Sequence, residues 1–600
     1  MAMKVLVRSL TIGLLCSFLV LTTPAQPAWA QCSGSCPTSC AQAARCGQQP
    51  NRITMGPTFD NAATNSLGSA GPTYSQIRRG ICPNTYNVTV STSNPIPSVI
   101  LKAIGLVESS WRQFDCDGDF ASEWDWTLIT GDCGYGVMQV TSCMDTGCGW
   151  FTPSRVAGEI AYNIGTGTNF LIRDKWNWLS TPTCRQIGGN NHTYGEDWYY
   201  SVIAYHSWSN VNDPNRNDPA NPPYYNPERP PYLESNYTEF SYPYQERVWG
   251  YVAHPVNIGG LWWQPQRIPW VPRGIFGTWQ PGNWRPPEWT PRPTFYYLPD
   301  IKANYNGWNS YITLFNPRSD LTLAVDIALY NQDGTFNKWW LDPPPSNPPP
   351  YIRLAPRASR TIAVADRFPG SSFSGSAVIA ASQDIAVSVI RVYQGTPYTC
   401  AIYNAVETVS NKVYVPLLHR NNNYWNSEII IQNAGSQSAQ VTVYYHARTG
   451  YSCSTSVTIT TRGSYTFDLK NNPGCDIGSP FVGAATISST QPIAVVANQL
   501  RDDGANGTVE SLMNYEGFAT GAVYLFAPML MRGNNDWDSG LAIYNHNASS
   551  NSIQIGYNAQ QGESWSGSQT IASGANGIVT IHPAPPDSVS PPSPLWDRPF

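Results

Sequence analysis

The apolar positions in the first half of the chain recur at the spacing of an α-helix. Over residues 97–109 they fall three or four positions apart, and Pro97 suits the first turn of a helix. Residues 156–178 and 198–205 repeat this spacing, and residues 244–252 favour a last helix. These patterns predict a helical front half that begins with a mostly buried helix.

The pattern of apolar positions changes past residue 296. Short alternating or β-branched runs are separated there by Gly, Asn, Ser and Pro, which predicts strands. A Trp-Asn/Asp-Ser signature recurs at Trp308, Trp425 and Trp537, and a Phe-x-Gly-x-Ala element recurs at Phe373 and Phe481. Repeats of about 110 residues built from short strands fit antiparallel β-sandwiches of the immunoglobulin type.

The repeats divide the second half of the chain. Two full copies occupy residues 297–408 and 411–518, and a third copy over residues 522–600 is incomplete. Residues 597–600 line up with residues 479–481, where the closing strands of the second copy begin. Either the full protein continues, or the third copy exposes a sheet edge with which another chain could pair.

Three further segments flank the predicted helical domain over residues 96–257. Residues 1–30 combine basic residues, an apolar run and Ala-Trp-Ala, which is the pattern of a secretory signal peptide. Residues 31–95 are rich in Cys, Ser, Gly, Asn and Pro and predict a loop-dominated lead-in tied by disulfides. Residues 258–296 predict a semi-rigid Pro/Trp-rich linker, whose aromatic rings either pack against their neighbours or stack on sugars.

Length, charge and cysteine usage narrow the class of protein. A chain of 600 residues is several times the size of one domain. Its net charge of -5, without basic runs, argues against nucleic acid or an anionic membrane as the main partner, and no run after the signal peptide is long enough to span a membrane. Ten of the 13 cysteines after residue 30 lie between Cys32 and Cys184. We therefore expect disulfides in a secreted, extracellular or cell-wall-associated protein, with Cys453 and Cys475 closing one loop and Cys400 left as a free thiol.

One carboxylate needs an explanation, because only 12% of the residues are charged. Glu108 ends the apolar helix in the stretch Ile-Gly-Leu-Val-Glu-Ser-Ser-Trp. Apolar surroundings disfavour the charged form of a carboxyl and raise its pKa, and a protonated carboxyl is what the general acid of a glycosidase requires. A glutamate at a helix end is more often a solvated or capping residue, so this position alone identifies no function.

Further motifs follow Glu108 in a fixed order. They are Gly-Tyr-Gly-Val-Met-Gln at residues 134–139, Ala-Tyr-Asn-Ile at residues 161–164, and Ile-Ala-Tyr-His at residues 203–206. Together with the Glu-Ser pair, they resemble the lysozyme-like catalytic domain of soluble lytic transglycosylases and goose-type lysozymes, over roughly residues 95–255. The resemblance implies an α-helical, lysozyme-like (α+β) catalytic domain ahead of the all-β immunoglobulin-like repeats. It also implies an enzyme that cleaves the β-1,4 bond between N-acetylmuramic acid and N-acetylglucosamine in peptidoglycan glycan strands, without a metal or organic cofactor.

The resemblance also assigns roles to single residues. Glu108 would act first as the acid and then as the base of glycosidic cleavage. Ser109 would support this carboxyl, and Met138 and Gln139 would line the saccharide groove. Asn163 would hold the fold around the groove, and Tyr205 would hydrogen-bond near Glu108.

His206 and Ser207 depart from the Asn and Ala of the family pattern. The acidic loop over residues 115–119 departs from a calcium-binding EF-hand loop, because Phe120 stands where that loop requires Gly.

The sequence leaves open how the glycosidic bond would be cleaved. A hydrolase commonly uses a second carboxylate to activate water, and Asp132 is the one candidate, although a turn role beside Gly131 is the simpler interpretation. A lytic transglycosylase uses a single Glu while the muramyl 6-hydroxyl of the substrate attacks. We therefore favour the transglycosylase. A goose-type hydrolase, a chitin-directed hydrolase and a non-catalytic, glycan-binding adhesive surface protein are the alternatives.

Overall fold

The computed structural model describes residues 32, 40–74, 76–116, 124–216, 228–232, 242–277, 286–287, 289–340, 351–395, 398–447, 450–502, 509–527, 539–558 and 565–580. Several features of the sequence lie outside these residues. They are the predicted signal peptide over residues 1–30, most of the acidic loop after Asp115, the third Trp signature at Trp537, and the end of the third repeat.

The helices of the described chain are few and short. They are α1 (Arg52–Ala63), α2 (Ser98–Ser109), α3 (Pro153–Gly158), α4 (Ile160–Asn169), α5 (Asn177–Ser180), α6 (Tyr199–His206) and α7 (Tyr244–Ala253). About 40% of the structure is in strands and about 20% is helical. The prediction of an α-helical, lysozyme-like (α+β) catalytic domain is therefore wrong, because the molecule is mostly β and its helices do not support such a domain.

The prediction failed because apolar periodicity does not show where a helix breaks. The pattern over residues 156–178 predicted one helix, but the backbone of Glu159 is extended, with φ −129° and ψ 113°, so α3 ends before it and α4 begins after it. Residues Phe170–Trp176 then form π-helical turns. Short helices gain little stability of their own, and their position depends on the elements that pack against them.

The segment over residues 31–95, which we predicted to be dominated by loops, contains α1. Asn51 caps this helix, since its side chain accepts a hydrogen bond from the backbone N–H of Ile53. Two disulfides tie the segment to the following residues, at Cys40–Cys133 and Cys82–Cys184. The others close local loops, at Cys32–Cys46, Cys143–Cys148 and, in the second repeat, Cys453–Cys475. The predicted disulfides are confirmed, and they are consistent with an extracellular protein. Cys400 carries an exposed free thiol.

Six short strands accompany the helices, and the first repeat follows them. The short strands are β1 (Cys46–Gln48), β2 (Ile77–Arg79), β3 (Tyr86–Val88), β4 (Trp124–Trp126), β5 (Gln186–Ile187) and β6 (Trp289–Thr290). They pair as β1 with β4, β2 with β3 and β5 with β6. The first repeat comprises β7 (Thr294–Ala303), β8 (Trp308–Phe315), β9 (Leu323–Asn331), β10 (Phe336–Trp340), β11 (Ile352–Leu354), β12 (Ser359–Ala363), β13 (Phe373–Ala381), β14 (Ala386–Tyr393) and β15 (Thr399–Asn404). One antiparallel sheet has the order β10-β9-β13-β7, with β11 also on β9, and the other has the order β12-β8-β14-β15.

The second repeat is organised around one long strand. Its strands are β16 (Ser410–Arg420), β17 (Trp425–Asn433), β18 (Ala439–Ala447), β19 (Gly450–Ile459), β20 (Ser464–Asp468), β21 (Phe481–Asp502) and β22 (Val509–Glu516). The first part of β21 pairs with β16 and β18, and its last part pairs with β17 and β22. The single strand β21 therefore joins both layers of this repeat, and an apolar core lies between them.

The third repeat contributes two pairs of strands to the described chain. They are β23 (Gly540–Tyr544) with β26 (Asn576–Thr580), and β24 (Asn551–Tyr557) with β25 (Trp565–Ile571). All three repeats share one buried asparagine, at Asn316, Asn433 and Asn545. Each donates its side-chain amide to three backbone carbonyls at 2.7–3.1 Å. The recurring asparagine thus satisfies buried carbonyls at a turn, which explains its fixed position after the Trp signature.

Buried charged and polar contacts join the helical segment to the first repeat. Arg229 and Glu246 form a fully buried ion pair at 2.8 Å, and the indole of Trp339 donates to the carbonyl of Arg229 at 2.7 Å. Because Glu246 belongs to α7 and Trp339 to β10, this contact connects a helix of the front half to the first sheet. Among the described helices, none is both long enough and apolar enough to cross a membrane.

Candidate active site

The end of α2 fixes the position of Glu108. The backbones of Ser110 and Trp111 have φ values of 56° and 60°, so the helix cannot continue past them. The fully buried indole of Trp111 donates to the carbonyl of Lys102 at 2.7 Å, and its ring contacts Phe59 at a centroid distance of 4.8 Å. The packing of Trp111 therefore fixes the end of α2, where Glu108 lies.

The carboxyl of Glu108 is partly buried and receives a hydrogen bond from a tyrosine. The hydroxyl of Tyr244 donates to Oε1 of Glu108 at 2.5 Å. Burial raises the pKa of Glu108 to about 7, the hydrogen bond from Tyr244 and the charge of Arg247 oppose this rise, and the charge of Asp132 adds to it. No other hydrogen bond from the described residues reaches this carboxyl. A large fraction of Glu108 therefore holds a proton at neutral pH, and its second oxygen has no protein partner there.

Two polar residues hold Tyr244 in place. The ring of His206 stacks on the ring of Tyr244, with centroids 4.5 Å apart and planes 22° apart. Asn212 accepts a hydrogen bond from the backbone N–H of Tyr244 at 3.4 Å, and its Nδ2 lies 3.1 Å from Nδ1 of His206. Burial and the charge of Arg247 lower the pKa of His206, so this ring is neutral at neutral pH. His206, one of the departures from the family pattern, supports the tyrosine that contacts Glu108.

The loop over residues 134–140 is fastened to the helices by polar side chains. Ser109, next to Glu108, donates to the carbonyl of Val137 at 2.9 Å. Asn163 on α4 accepts from the backbone N–H of Met138 at 2.9 Å and donates to the carbonyl of Tyr135 at 2.7 Å. These contacts fix the loop relative to the end of α2, so Ser109 and Asn163 act on the backbone of the loop.

Met138 and Asn163 are interior residues, and both are fully buried. The side chain of Met138 fills the space beside Gly167, where an added Cβ would lie 2.4 Å from Cβ of Met138. The turn directs the side chain of Met138 into the core against α4 and away from solvent. Asn163 is buried in the same interior and bonds to the backbone of the loop. The carbonyl of Met138 accepts from the hydroxyl of Tyr205 at 2.7 Å, so Tyr205 bonds to this loop. Burial, together with the charge of Glu108, raises the pKa of Tyr205.

Asp132 and Gln139 are joined through a threonine. Oγ1 of Thr130 lies 2.6 Å from Oδ1 of Asp132 and 2.6 Å from Oε1 of Gln139, and a hydroxyl donates its one proton to only one of them at a time. Asp132 is exposed, whereas Gln139 is partly buried. Because the charge of Asp132 raises the pKa of Glu108, the two carboxyl groups belong to one electrostatic site.

Sequence reasoning missed Tyr244 and Arg247 as members of this site. Both lie on α7, and Tyr244 is 136 positions from Glu108. The apolar pattern predicted a helix near these residues but not which of its faces would meet α2. No motif at residues 244–252 marks a contact with a distant carboxyl, so only the packing of α7 on α2 could reveal it.

Comparisons with known proteins do not assign the chain to a family. No protein-family model matches the chain, and no curated protein matches it either. Among solved structures, Thermotoga maritima 1070 aligns with 18% of this chain and 93% of its own, at 18% identity and a TM-score of 0.16. Similarity at this level supports no conclusion on fold or function. The resemblance to lytic transglycosylases and goose-type lysozymes stays a prediction from the motifs.

Proposed function

We propose that the chain is a secreted, peptidoglycan-cleaving lytic transglycosylase with one catalytic carboxyl, Glu108. The observation that carries the proposal is the partly buried carboxyl of Glu108, which accepts a hydrogen bond from Tyr244 on one oxygen and none from the described residues on the other. Burial of this carboxyl raises its pKa to about 7. A general acid must hold its proton at the pH of the reaction and release it to the leaving group. The proposal rests on this site and on the order of the motifs, and it does not depend on a helical lysozyme-like fold.

Glu108 carries out both proton transfers of the proposed reaction. Its protonated carboxyl donates to the oxygen that joins the two sugars, as the bond from that oxygen to C1 of the muramyl ring breaks. The carboxylate then accepts the proton of the muramyl 6-hydroxyl, whose oxygen bonds to C1 and closes a 1,6-anhydro ring. Tyr244 favours the carboxylate between these steps, because a hydrogen bond to the charged form stabilises it.

Hydrolysis is the second candidate reaction, and the position of Asp132 favours it. Asp132 is exposed, and its charge acts on Glu108. In a hydrolase this carboxylate would accept a proton from water as the water attacks C1, while Glu108 protonates the leaving oxygen. The products separate the two reactions, since hydrolysis leaves a reducing end and transglycosylation leaves an anhydro sugar.

The wider setting of the proposed enzyme follows from the rest of the chain. The disulfides are consistent with an extracellular protein, and we include export through the predicted signal peptide over residues 1–30 in the proposal. The proposed substrate is the glycan strand of peptidoglycan. The β repeats would then act as a spacer, an anchor or binding modules beside the site.

The test is mass spectrometry of the soluble products released from purified peptidoglycan by the chain without residues 1–30. We expect anhydromuropeptides from the wild-type protein and none from Glu108→Gln, which keeps the size of the side chain but cannot donate the proton. Glu510→Gln is the matched control. It makes the same substitution at an exposed glutamate of the second repeat, which pairs with Arg501, and should leave product formation unchanged.

The other outcomes decide against parts of the proposal. Reducing-end products that disappear in Asp132→Asn would replace transglycosylation by hydrolysis. Release of chitin fragments, with intact peptidoglycan, would change the substrate. If neither the wild type nor Glu108→Gln releases product while both bind the glycan, the chain is a binding protein and the catalytic proposal is wrong.

A further inference from the structure

A cleft with a volume of about 530 Å³ lies at the opposite end of α2 from Glu108. Its walls come from the end of α1, from residues 95–99 at the start of α2, from residues 193–196 before α6 and from residues 266–268. Ser98 and Glu108 are ten positions apart on one helix, which separates them by about 15 Å. Small-ligand sites occupy about 300 to 1,000 Å³, so the cleft is large enough for a ligand and distinct from the Glu108 site.

A tyrosine ring that borders the cleft is held in a fixed orientation. Tyr194 is 45% exposed, and the guanidinium of Arg292 lies over its ring, 3.7 Å from the ring centre. Asp197 anchors Arg292, because its two carboxylate oxygens accept hydrogen bonds from Nε and Nη2 at 3.1 Å. Since Asp197 is fully buried, these contacts fix the ring of Tyr194 while about half of its surface stays open.

Polar groups able to bond to hydroxyls border the same cleft. Oδ1 of Asp60 accepts from Lys102 at 2.7 Å, whereas its Oδ2 accepts no hydrogen bond from the described residues. Burial raises the pKa of the Glu196 carboxyl to about 7, so at neutral pH this carboxyl both donates and accepts hydrogen bonds. Gln266, whose side chain carries an amide, is exposed beside them. The cleft thus combines an open aromatic ring with several donors and acceptors.

The charged groups at the cleft are already paired within the protein. Lys102 pairs with Asp60 at 2.7 Å, and Arg292 pairs with Glu196 at 3.3 Å. Arg267, which also borders the cleft, donates to a backbone carbonyl of the second repeat. The cleft therefore favours an uncharged ligand rich in hydroxyls over an ion. A sugar ring has this chemistry, because its C–H groups pack on an aromatic face while the hydroxyls at its edge bond to carboxyl and amide groups.

We propose that this cleft is a saccharide-binding site for a short run of β-1,4-linked pyranose rings, one of which stacks on Tyr194. The hydroxyls of the bound sugars bond to Asp60, Glu196 and Gln266. Rings whose substituents are equatorial suit this site, because only C–H groups then point at the aromatic face. The cleft holds the protein on a glycan at a point separate from Glu108. This binding goes beyond the proposed cleavage, since it requires no reaction at Glu108.

The experiment adds tetra-N-acetylchitotetraose, a β-1,4-linked tetramer, to the Glu108→Gln chain without residues 1–30 and follows backbone hydrogen exchange. We expect slower exchange at residues 60–64, 95–99 and 193–196, with a protection that saturates as the tetramer concentration rises. The Gln variant prevents cleavage by the proposed general acid. Because the readout is local to the cleft, a failure of the catalytic proposal leaves this test intact, and the product assay detects that failure separately.

Substitutions added to this chain locate the binding surface. Tyr194→Ala removes the aromatic face, so half-maximal protection should require about tenfold more tetramer, whereas Tyr194→Phe keeps the ring and should bind as before. Gln266→Ala removes one hydrogen-bonding group and should weaken binding about threefold to tenfold. Tyr86→Ala is the matched control, because Tyr86 is 57% exposed on β3, outside the cleft, and should leave binding unchanged.

Three results would overturn the proposal. The first is an absence of protection at the cleft at every tetramer concentration up to its solubility. The second is protection that Tyr194→Ala leaves unchanged, because the aromatic ring then carries no part of the binding. The third comes from trilysine as a second probe. If trilysine protects the cleft and the tetramer does not, the carboxyl groups bind a cationic peptide and the saccharide assignment is wrong.

Discussion

Replacing Glu108 by Gln should change how the stability of the α2 region depends on pH. Glu108 is uncharged only when it holds a proton, whereas Gln is uncharged at every pH and is almost the same size. The hydroxyl of Tyr244, which donates to Oε1 of Glu108, can donate to the amide oxygen of Gln in the same way. The substitution therefore removes the titration of one partly buried group and leaves its packing nearly unchanged.

The size of the effect follows from the pKa of Glu108. Its usual value is 4.5, and burial raises it to about 7 in the folded protein. Because the folded state binds this proton more tightly than the unfolded state, the free energy of unfolding is unaffected below about pH 4.5 and falls as the pH rises from about 4.5 to about 7. At about 1.4 kcal/mol for each pH unit, the loss reaches about 3 kcal/mol above pH 7. The Gln variant does not lose this contribution.

The assay is hydrogen exchange of the backbone amides of α2 in wild type and Glu108→Gln, measured at pH 4.5, 6 and 8 and corrected for the intrinsic rate at each pH. Exchange gives the opening free energy of this region without requiring the whole multidomain chain to unfold in one step. We expect similar protection at pH 4.5 and greater protection of the variant at pH 8, by up to about 3 kcal/mol. If the two proteins keep the same difference at all three pH values, the pKa of Glu108 is not raised and the proposed general acid loses its basis.

Three further substitutions test other contacts. Tyr244→Phe removes a hydrogen bond that favours the carboxylate, so the pKa of Glu108 should rise and the alkaline limb of the activity profile should move to higher pH; an unchanged limb would contradict the role of Tyr244. Arg391→Met leaves the buried Asp300, 3.2 Å from the guanidinium, without its main counter-charge and should lower the free energy of unfolding by about 3 to 5 kcal/mol in urea titrations. A loss below about 1 kcal/mol would show that the contact is solvated. Replacing both Cys453 and Cys475 by Ser opens a loop with a sequence separation of 22 residues and should cost about 3 kcal/mol; calorimetry showing an unchanged transition of the second repeat would refute this.

Part of the candidate site could be predicted from the sequence. The isolated carboxyl at the end of an apolar run identified Glu108 as the group with a raised pKa, and the motif order placed Ser109 and Asp132 near it. The motif at residues 134–139 was less informative about its side chains. It contains Met138, but whether that side chain faces a ligand or the core depends on the turn, and the structure buries it against Gly167.

The helical domain was predicted wrongly for a related reason. Apolar periodicity records which residues are buried along one stretch of chain, and the pattern over residues 156–178 contains such residues throughout. The extended backbone at Glu159 breaks the helix without breaking the pattern. Periodicity therefore predicted apolar faces correctly only within each short element, and it overestimated how far a single helix continues.

The sequence by itself determined the features that depend on neighbouring residues or on exact repetition. These are the apolar run that ends at Glu108, the repeated Trp signature with its asparagine, and the pairing of Cys453 with Cys475. The tertiary structure alone decided that Tyr244 meets Glu108 from 136 positions away and that the side chain of Met138 packs against α4. The physical reason is that side-chain direction and long-range contact depend on how separate elements pack, and the residues that fix this packing are far apart in the sequence.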